Sequence, residues 1–237
     1  MIAASVPAVR QASARIFTRY AVAWVYLVGF CAAEIGYALL SPHDQQAVLA
    51  WASTNVHNLP LDPVGCMIAS AFFPAGALTA WPGLIALTMF PANGILGNWR
   101  TVLVCGAGHV IGTLDSEGIL WFQIAHRAMP ASDRLIIDVG PSYVVVTAIA
   151  VTLVWGTWLA RAAAGAALLL LVVVGQIFAG IASLALAPVG HATALFIGLT
   201  FGSLVVWRQR RAVAAAQPAL APSSQAFAAS SAAVGSP

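Results

Sequence analysis

The sequence predicts an all-α membrane protein, a bundle of six transmembrane helices, and three observations lead there. The 237 residues are 61% hydrophobic and 7% charged, with mean hydropathy +0.90, whereas soluble domains carry about 25% charged residues. Six apolar stretches are long enough, or nearly so, to cross a hydrocarbon core of roughly 30 Å at 1.5 Å per residue. The ten basic residues are all arginine and collect at segment ends or in a short terminal cluster. That is the pattern of membrane topology and not of nucleic-acid binding.

Segment 1–19 carries Arg10, Arg15 and Arg19 ahead of the first span, near Tyr20–Leu40, with no small-residue cleavage pattern at its end. A retained span is therefore expected, not a signal peptide. "SPHDQQAVLAWASTNVHNLPLDP" follows without Arg or Lys, and is expected to form an external loop, about 41–63, with some helix. Loops of that length are usually functional or packed on the bundle. The second span, near Gly76–Phe90, is short, and "PVGCMIASAFF" before it suits a partly immersed helix. The remaining spans fall near Thr101–Ile124, Val139–Leu159, Ala166–Leu186 and His191–Trp207.

Arg100 follows the second span, Arg161 the fourth, and Arg208, Arg210 and Arg211 the sixth. The positive-inside rule then puts both termini of this multi-pass chain in the cytoplasm. Arg127 and Arg134 lie on the other side, in company with Asp133 and Asp138. The membrane domain is expected over 20–207 and a disordered cytoplasmic tail over 208–237, because the Ala, Ser and Pro of the stretch after Ala212 offer no periodic apolar face. Trp51, Trp99, Trp121, Trp158 and Trp207 fall near span boundaries, as interface anchors do. Cys31, Cys66 and Cys105 are scattered singly, so neither a disulfide nor a metal site is expected.

Ionisable side chains at membrane depth cost from about 2.5 kcal/mol upward, so each raises a question of function. Glu34, His109, Asp115 and Glu117 are of this kind. Counted along the third span, His109 lies about 12 Å from the cytoplasmic end and Asp115 and Glu117 about 21–24 Å, while Ser142 lies about 6 Å below the outer boundary in the descending fourth span. Ser142 thus shares a level with the two acids, and His191, at the start of the sixth span, falls in the same outer layer. Ala194, Gly198 and Gly202 follow His191 at +3, +7 and +11, one helix face whose small residues admit a close neighbour. If that neighbour is the fourth span, a hydroxyl and an imidazole meet in a wet recess, the minimum for nucleophilic catalysis. The plain alternative for "DVGPSY" makes Asp138 an N-cap, Pro141 a first-turn residue and Ser142 a donor to a preceding carbonyl.

These residues resemble the rhomboid family of intramembrane serine proteases, six-span bundles whose nucleophile opens span four in a Gly-x-Ser motif and whose histidine opens span six. "GPSY" supplies Gly140 and Ser142, and "GHATALFIGLTFG" supplies His191 with its small-residue face. "STNVHNL", "GNWRTVLVCGAGHVIGTL" and "DVGPSY" together resemble a rhomboid-like group of bacterial membrane proteins. Two departures stand out. Tyr143 follows the serine where active rhomboids have Gly or Ala, and its bulk crowds the nucleophile unless it points away. The family's His-x-x-x-Asn pair on span two, counted back from Leu96 and Gly97, falls on Ala77 and Trp81.

Loss of an oxyanion-hole donor costs about 10²–10³ in rate, so other donors are required. Candidates are the amides of Val139 and Gly140 or the side chains of Asn55, His57 and Asn58 if the external loop covers the site. The resemblance implies a cofactor-free protease cleaving transmembrane substrates through Ser142 and His191. Its alternative is an inactive relative that binds the transmembrane helices of client proteins, and a small transporter using Glu34, His109, Asp115 and Glu117 is a third. The partners expected are transmembrane substrates or clients and the lipid bilayer, not nucleic acid.

Overall fold

A computed structural model describes residues 16–73 and 80–216, and every regular element in it is helical. In chain order these are α1 (Ala21–Ala38), α2 (Pro42–Ala52), α3 (Pro63–Ser70), α4 (Trp81–Leu96), α5 (Asn98–Ala125), a 3₁₀ turn (Ala131–Leu135), α6 (Ser142–Trp155), α7 (Trp158–Val173), a second 3₁₀ turn (Ile181–Ser183) and α8 (Leu186–Ala216).

Polarity is distributed inside out. On α5 the buried residues Thr101, Val104, Cys105, Gly108, His109, Gly112, Thr113, Ser116, Glu117 and Leu120 recur every three or four positions, the spacing of one helix face. Most of that face is small or polar, whereas Val102, Leu103, Ile111, Leu114, Trp121 and Phe122 point outward. Water does not select such an arrangement, but a lipid surround does. All five tryptophans expected at span boundaries are exposed.

α6 forms the centre, with every residue from Tyr143 to Thr152 buried. It is wedged between α5 and α8 because glycines let the backbones approach. A Cβ on Gly198 would fall 2.6 Å from both the Thr147 carbonyl oxygen and the Ala150 Cβ, and one on Gly202 2.6 Å from Val151. Ala194, fully buried, completes that face of α8. The Thr147 hydroxyl donates to the carbonyls of Tyr143 and Ala194, at 2.8 and 3.2 Å, which ties α6 to α8.

At the opposite edge, Asn93 in the last turn of α4 and Asn98 at the start of α5 cap α1 from outside. The Ala23 amide donates to Asn93 Oδ1 at 3.0 Å and the Val22 amide to Asn98 Oδ1 at 3.5 Å. Asn98 Nδ2 donates in turn to the Thr18 carbonyl at 2.7 Å.

Several span limits differ from expectation. Two helices, Ala21–Ala38 and Leu186–Ala215, are long and apolar enough to cross a membrane by length and composition, and α4, α6 and α7 are shorter apolar helices. The fifth span, expected at 166–186, is instead helical over Trp158–Val173. Gly156 ends α6, and the Thr157 hydroxyl accepts the Ala160 amide at the start of α7. Past Val173, Gln176 and Leu184 take left-handed backbone, at φ 49° and 55°, which a continuous helix cannot contain. α8 begins five residues before His191 and runs through Arg208–Arg211 to Ala216, so residues 208–216 are helical where a disordered tail is expected. The start of the expected second span, the position of Ala77, and segments 1–15 and 217–237 lie outside the described residues.

Candidate active site

The site is framed by two extended segments that clasp each other. The Thr54 amide donates to the Asp138 carbonyl at 3.0 Å, and the Asp138 amide donates to Ser53 Oγ at 2.9 Å. Ser53 Oγ donates onward to the Ile136 carbonyl at 3.3 Å, and the Thr54 hydroxyl is shared between the Asp138 carbonyl at 3.1 Å and its carboxylate at 3.3 Å. Two residues on, the Gly140 amide donates to the Ser70 carbonyl at the end of α3, at 2.7 Å. Gly140 has φ +142°, a conformation open to glycine and strained for other residues. These bonds aim the chain into Pro141 and the first residue of α6, Ser142.

The roles that the plain alternative gives Asp138 and Ser142 are unfilled. α6 has no side-chain cap, and the Asp138 carboxylate turns back to Thr54 and to the Tyr143 hydroxyl, which donates to it at 3.5 Å. Burial lifts the Asp138 carboxyl from 3.8 to about 6, against the lowering pull of those two hydrogen bonds. The Ser142 hydroxyl has no hydrogen-bond partner among the described residues.

His191 is 5% exposed. Its Nδ1 bonds the Ile177 carbonyl at 3.0 Å; a carbonyl only accepts, so Nδ1 carries the proton and Nε2 presents a lone pair. Nε2 is buried without a partner. Ser142 and His191 do not bond each other directly, yet both line one cavity of about 220 Å³. Ile137, Leu171 and Ile177 make it apolar, and Trp81 closes one side.

Tyr143 lines that cavity too. Its ring is 3% exposed and fits against α5 and α8 where both are glycine. A Cβ on Gly190 would lie 2.3 Å from its ring and hydroxyl, and one on Gly112 3.6 Å from its ring.

The sequence profile of the rhomboid-like protein family matches residues 17–211. The chain belongs to the rhomboid-like family. No curated protein and no solved structure matches it.

Against the pattern of the rhomboid proteases, the donors around Ser142 change identity. The Gly140 amide is spent on Ser70 and is not free to hold an oxyanion. Asn55 and Asn58 are likewise committed: Asn55 Oδ1 accepts the amides of His57 and Asn58, and Asn58 Nδ2 donates to the carbonyls of Ala50 and Ser53. Neither they nor His57, whose amide donates to the Arg134 carbonyl, line the cavity. Among the described residues, donors without a partner on residues lining the cavity include the backbone amides of Val139 and Ser142 and the indole N–H of Trp81. Trp81, the position counted for the family's asparagine, lines the same cavity as Ser142.

The four other polar residues do not form one path. His109 Nε2 bonds the Met67 carbonyl at 2.9 Å and lies 3.2 Å from Ser70 Oγ, at the edge of an apolar groove. Glu117 is 2% exposed with both oxygens unpartnered, beside a different cavity. Asp115 accepts from the Thr193 hydroxyl on an exposed face, and Glu34 is half-buried on α1. The cysteines are unpaired, and no group of three metal-ligating side chains occurs among the described residues.

Proposed function

We propose that this rhomboid-like membrane protein is a serine-type intramembrane protease, with Ser142 as nucleophile and His191 as general base. The observation that carries the reading is two residues lining one cavity: a serine whose hydroxyl has no hydrogen-bond partner among the described residues and a histidine whose Nε2 lone pair is fixed by the Nδ1 bond to Ile177. In the reaction, Ser142 Oγ attacks a peptide carbonyl of a locally unwound transmembrane segment while His191 Nε2 takes its proton. His191 returns that proton to the leaving amine, and water then resolves the acyl-enzyme. The amides of Val139 and Ser142 and the Trp81 indole are the donors for the oxyanion. Apolar walls fit a substrate arriving from the bilayer, and the chain's own residues supply the chemistry without a cofactor.

The same reading has six crossings with both termini cytoplasmic. Arg19, Arg100, Arg161 and Arg208–Arg211 all mark one end of the bundle, as the positive-inside rule requires. α4, α6 and α7, of 14–16 residues, reach about 21–24 Å at 1.5 Å per residue, and flanking segments complete the crossing.

Exposure of detergent-solubilised protein to a fluorophosphonate probe tests the reading. Labelling of wild type, lost in Ser142→Ala and His191→Ala, supports it. No labelling in any condition favours a client-binding rhomboid-like protein, a reading that the missing Ser142–His191 bond and the engaged Gly140 amide support.

A further inference from the structure

A cavity of about 440 Å³ lies at the other end of the bundle from Ser142, where α6 ends in Trp155. α1 and α7 both pack on α4, and the cavity is the groove between them. The sequence hollows it out with short side chains: Gly94 on α4, Gly156 at the end of α6 and Ala160 at the start of α7. Pro91 on the floor has no N–H, so the turn of α4 that lines the groove lacks a helical hydrogen bond. Phe90, Ile95 and Trp155 give it apolar walls, and the Trp155 indole is held by Ser203 Oγ at 3.0 Å. Trp158 and Leu159 beside it are exposed, as lipid-facing residues are.

Charge is segregated toward this end. Of the seven carboxylates, Asp44, Asp62, Asp133 and Asp138 lie in the connections at the far end, Glu34 about 20 Å along α1, and Asp115 and Glu117 about 26–29 Å along α5. Arginines alone occupy the near end, and no described arginine pairs with a carboxylate. Arg19 lines the groove itself. Arg210 lies 4.5 Å from the centroid of the Trp155 ring, and Arg161, next to Ala160, bonds the Val154 carbonyl. Thr157 accepts the Ala160 amide through its oxygen, and its own O–H has no acceptor among the described residues.

We infer that this groove binds an anionic phospholipid, with the phosphodiester between Arg19 and the Thr157 hydroxyl and an acyl chain along Phe90, Ile95 and Trp155. The apolar walls give a free phosphate ion nothing to hold, whereas a lipid fills both parts. Basic pockets between membrane helices are suited to such headgroups.

Native mass spectrometry of the full chain in detergent, titrated with phosphatidylglycerol or phosphatidylcholine, tests the inference. One phosphatidylglycerol is expected to stay bound under conditions that strip phosphatidylcholine, and Arg19→Gln is expected to weaken it about fivefold, the equivalent of about 1 kcal/mol for one basic residue. Ala160→Leu narrows the groove and should reduce retention of both lipids. Excess inorganic phosphate should not displace the bound lipid. Equal retention of the two lipids by the wild type, an unchanged Arg19→Gln titration in folded protein, or displacement by phosphate alone would overturn it.

Discussion

The ring of Tyr143 stands edge-on to that of His191, with 5.0 Å between centroids and 76° between planes. On its other side the His109 ring lies 6.1 Å away. The residue that looks most disruptive beside Ser142 is therefore the spacer that sets the histidine ring, and Gly190 makes room for it.

Gly190→Ala puts a methyl within 2.3 Å of Tyr143 in a fully packed interface. Overpacking of this kind costs about 1–3 kcal/mol. Thermal unfolding in detergent should show the loss, and fluorophosphonate labelling should fall because the His191 ring loses its support. Retention of both wild-type values would separate Tyr143 from the site.

Asp138 makes stability depend on pH with a definite sign. Its carboxyl titrates at about 6 when folded and 3.8 when free, so the folded protein binds the extra proton between those values. Its stabilising contribution is complete below about pH 4 and lost as pH rises through about 6, a change on the order of 3 kcal/mol. Asp138→Asn mimics the protonated form and should flatten that part of the stability profile, measured as melting temperature from pH 4 to 7.

Asn93 ties α1 to the corner between α4 and α5 through the Ala23 amide and the Asn98 side chain, at 3.0 and 3.1 Å. It is 1% exposed, so Asn93→Leu leaves these groups unpaired at a cost of about 1–3 kcal/mol. Chymotrypsin nicking between α1 and α2 should accelerate in this variant if α1 is released.

Much of this was legible in the sequence. Ala194, Gly198 and Gly202 marked a packing face, and α8 turns that face to α6. The fifth helix lies earlier than hydropathy places it, because the apolar run from Ala166 to Leu186 carries no charge and hydropathy does not register backbone conformation. The signals were present as "WGTW", where Gly156 stops one helix and Thr157 starts another, and as Gly175–Gln176 beyond Val173. The polar loop motif "STN" was visible, but its purpose was not. Ser53 and Thr54 serve as bonding partners of Asp138, more than 80 residues away, and a contact that long has no local signature. The same holds for Ile177, which fixes the His191 tautomer from the irregular segment before α8.

Topology is tested with single cysteines in a chain whose Cys31, Cys66 and Cys105 are replaced by Ala. Ser132→Cys, in the loop after α5, should react with a membrane-impermeant maleimide in intact cells. Ala212→Cys, at the arginine-bearing end of α8, should react only after permeabilisation. The reverse pattern would invert the bundle.

The most direct measurement is peptide mapping of the fluorophosphonate adduct by mass spectrometry, with the stability of Ser142→Ala recorded alongside. The adduct is expected on Ser142, absent from His191→Ala, and Ser142→Ala should unfold within about 0.5 kcal/mol of wild type because its hydroxyl has no hydrogen-bond partner among the described residues. An adduct on a different serine, or none on folded wild-type protein, would contradict the assignment of Ser142 and His191 as a reactive pair.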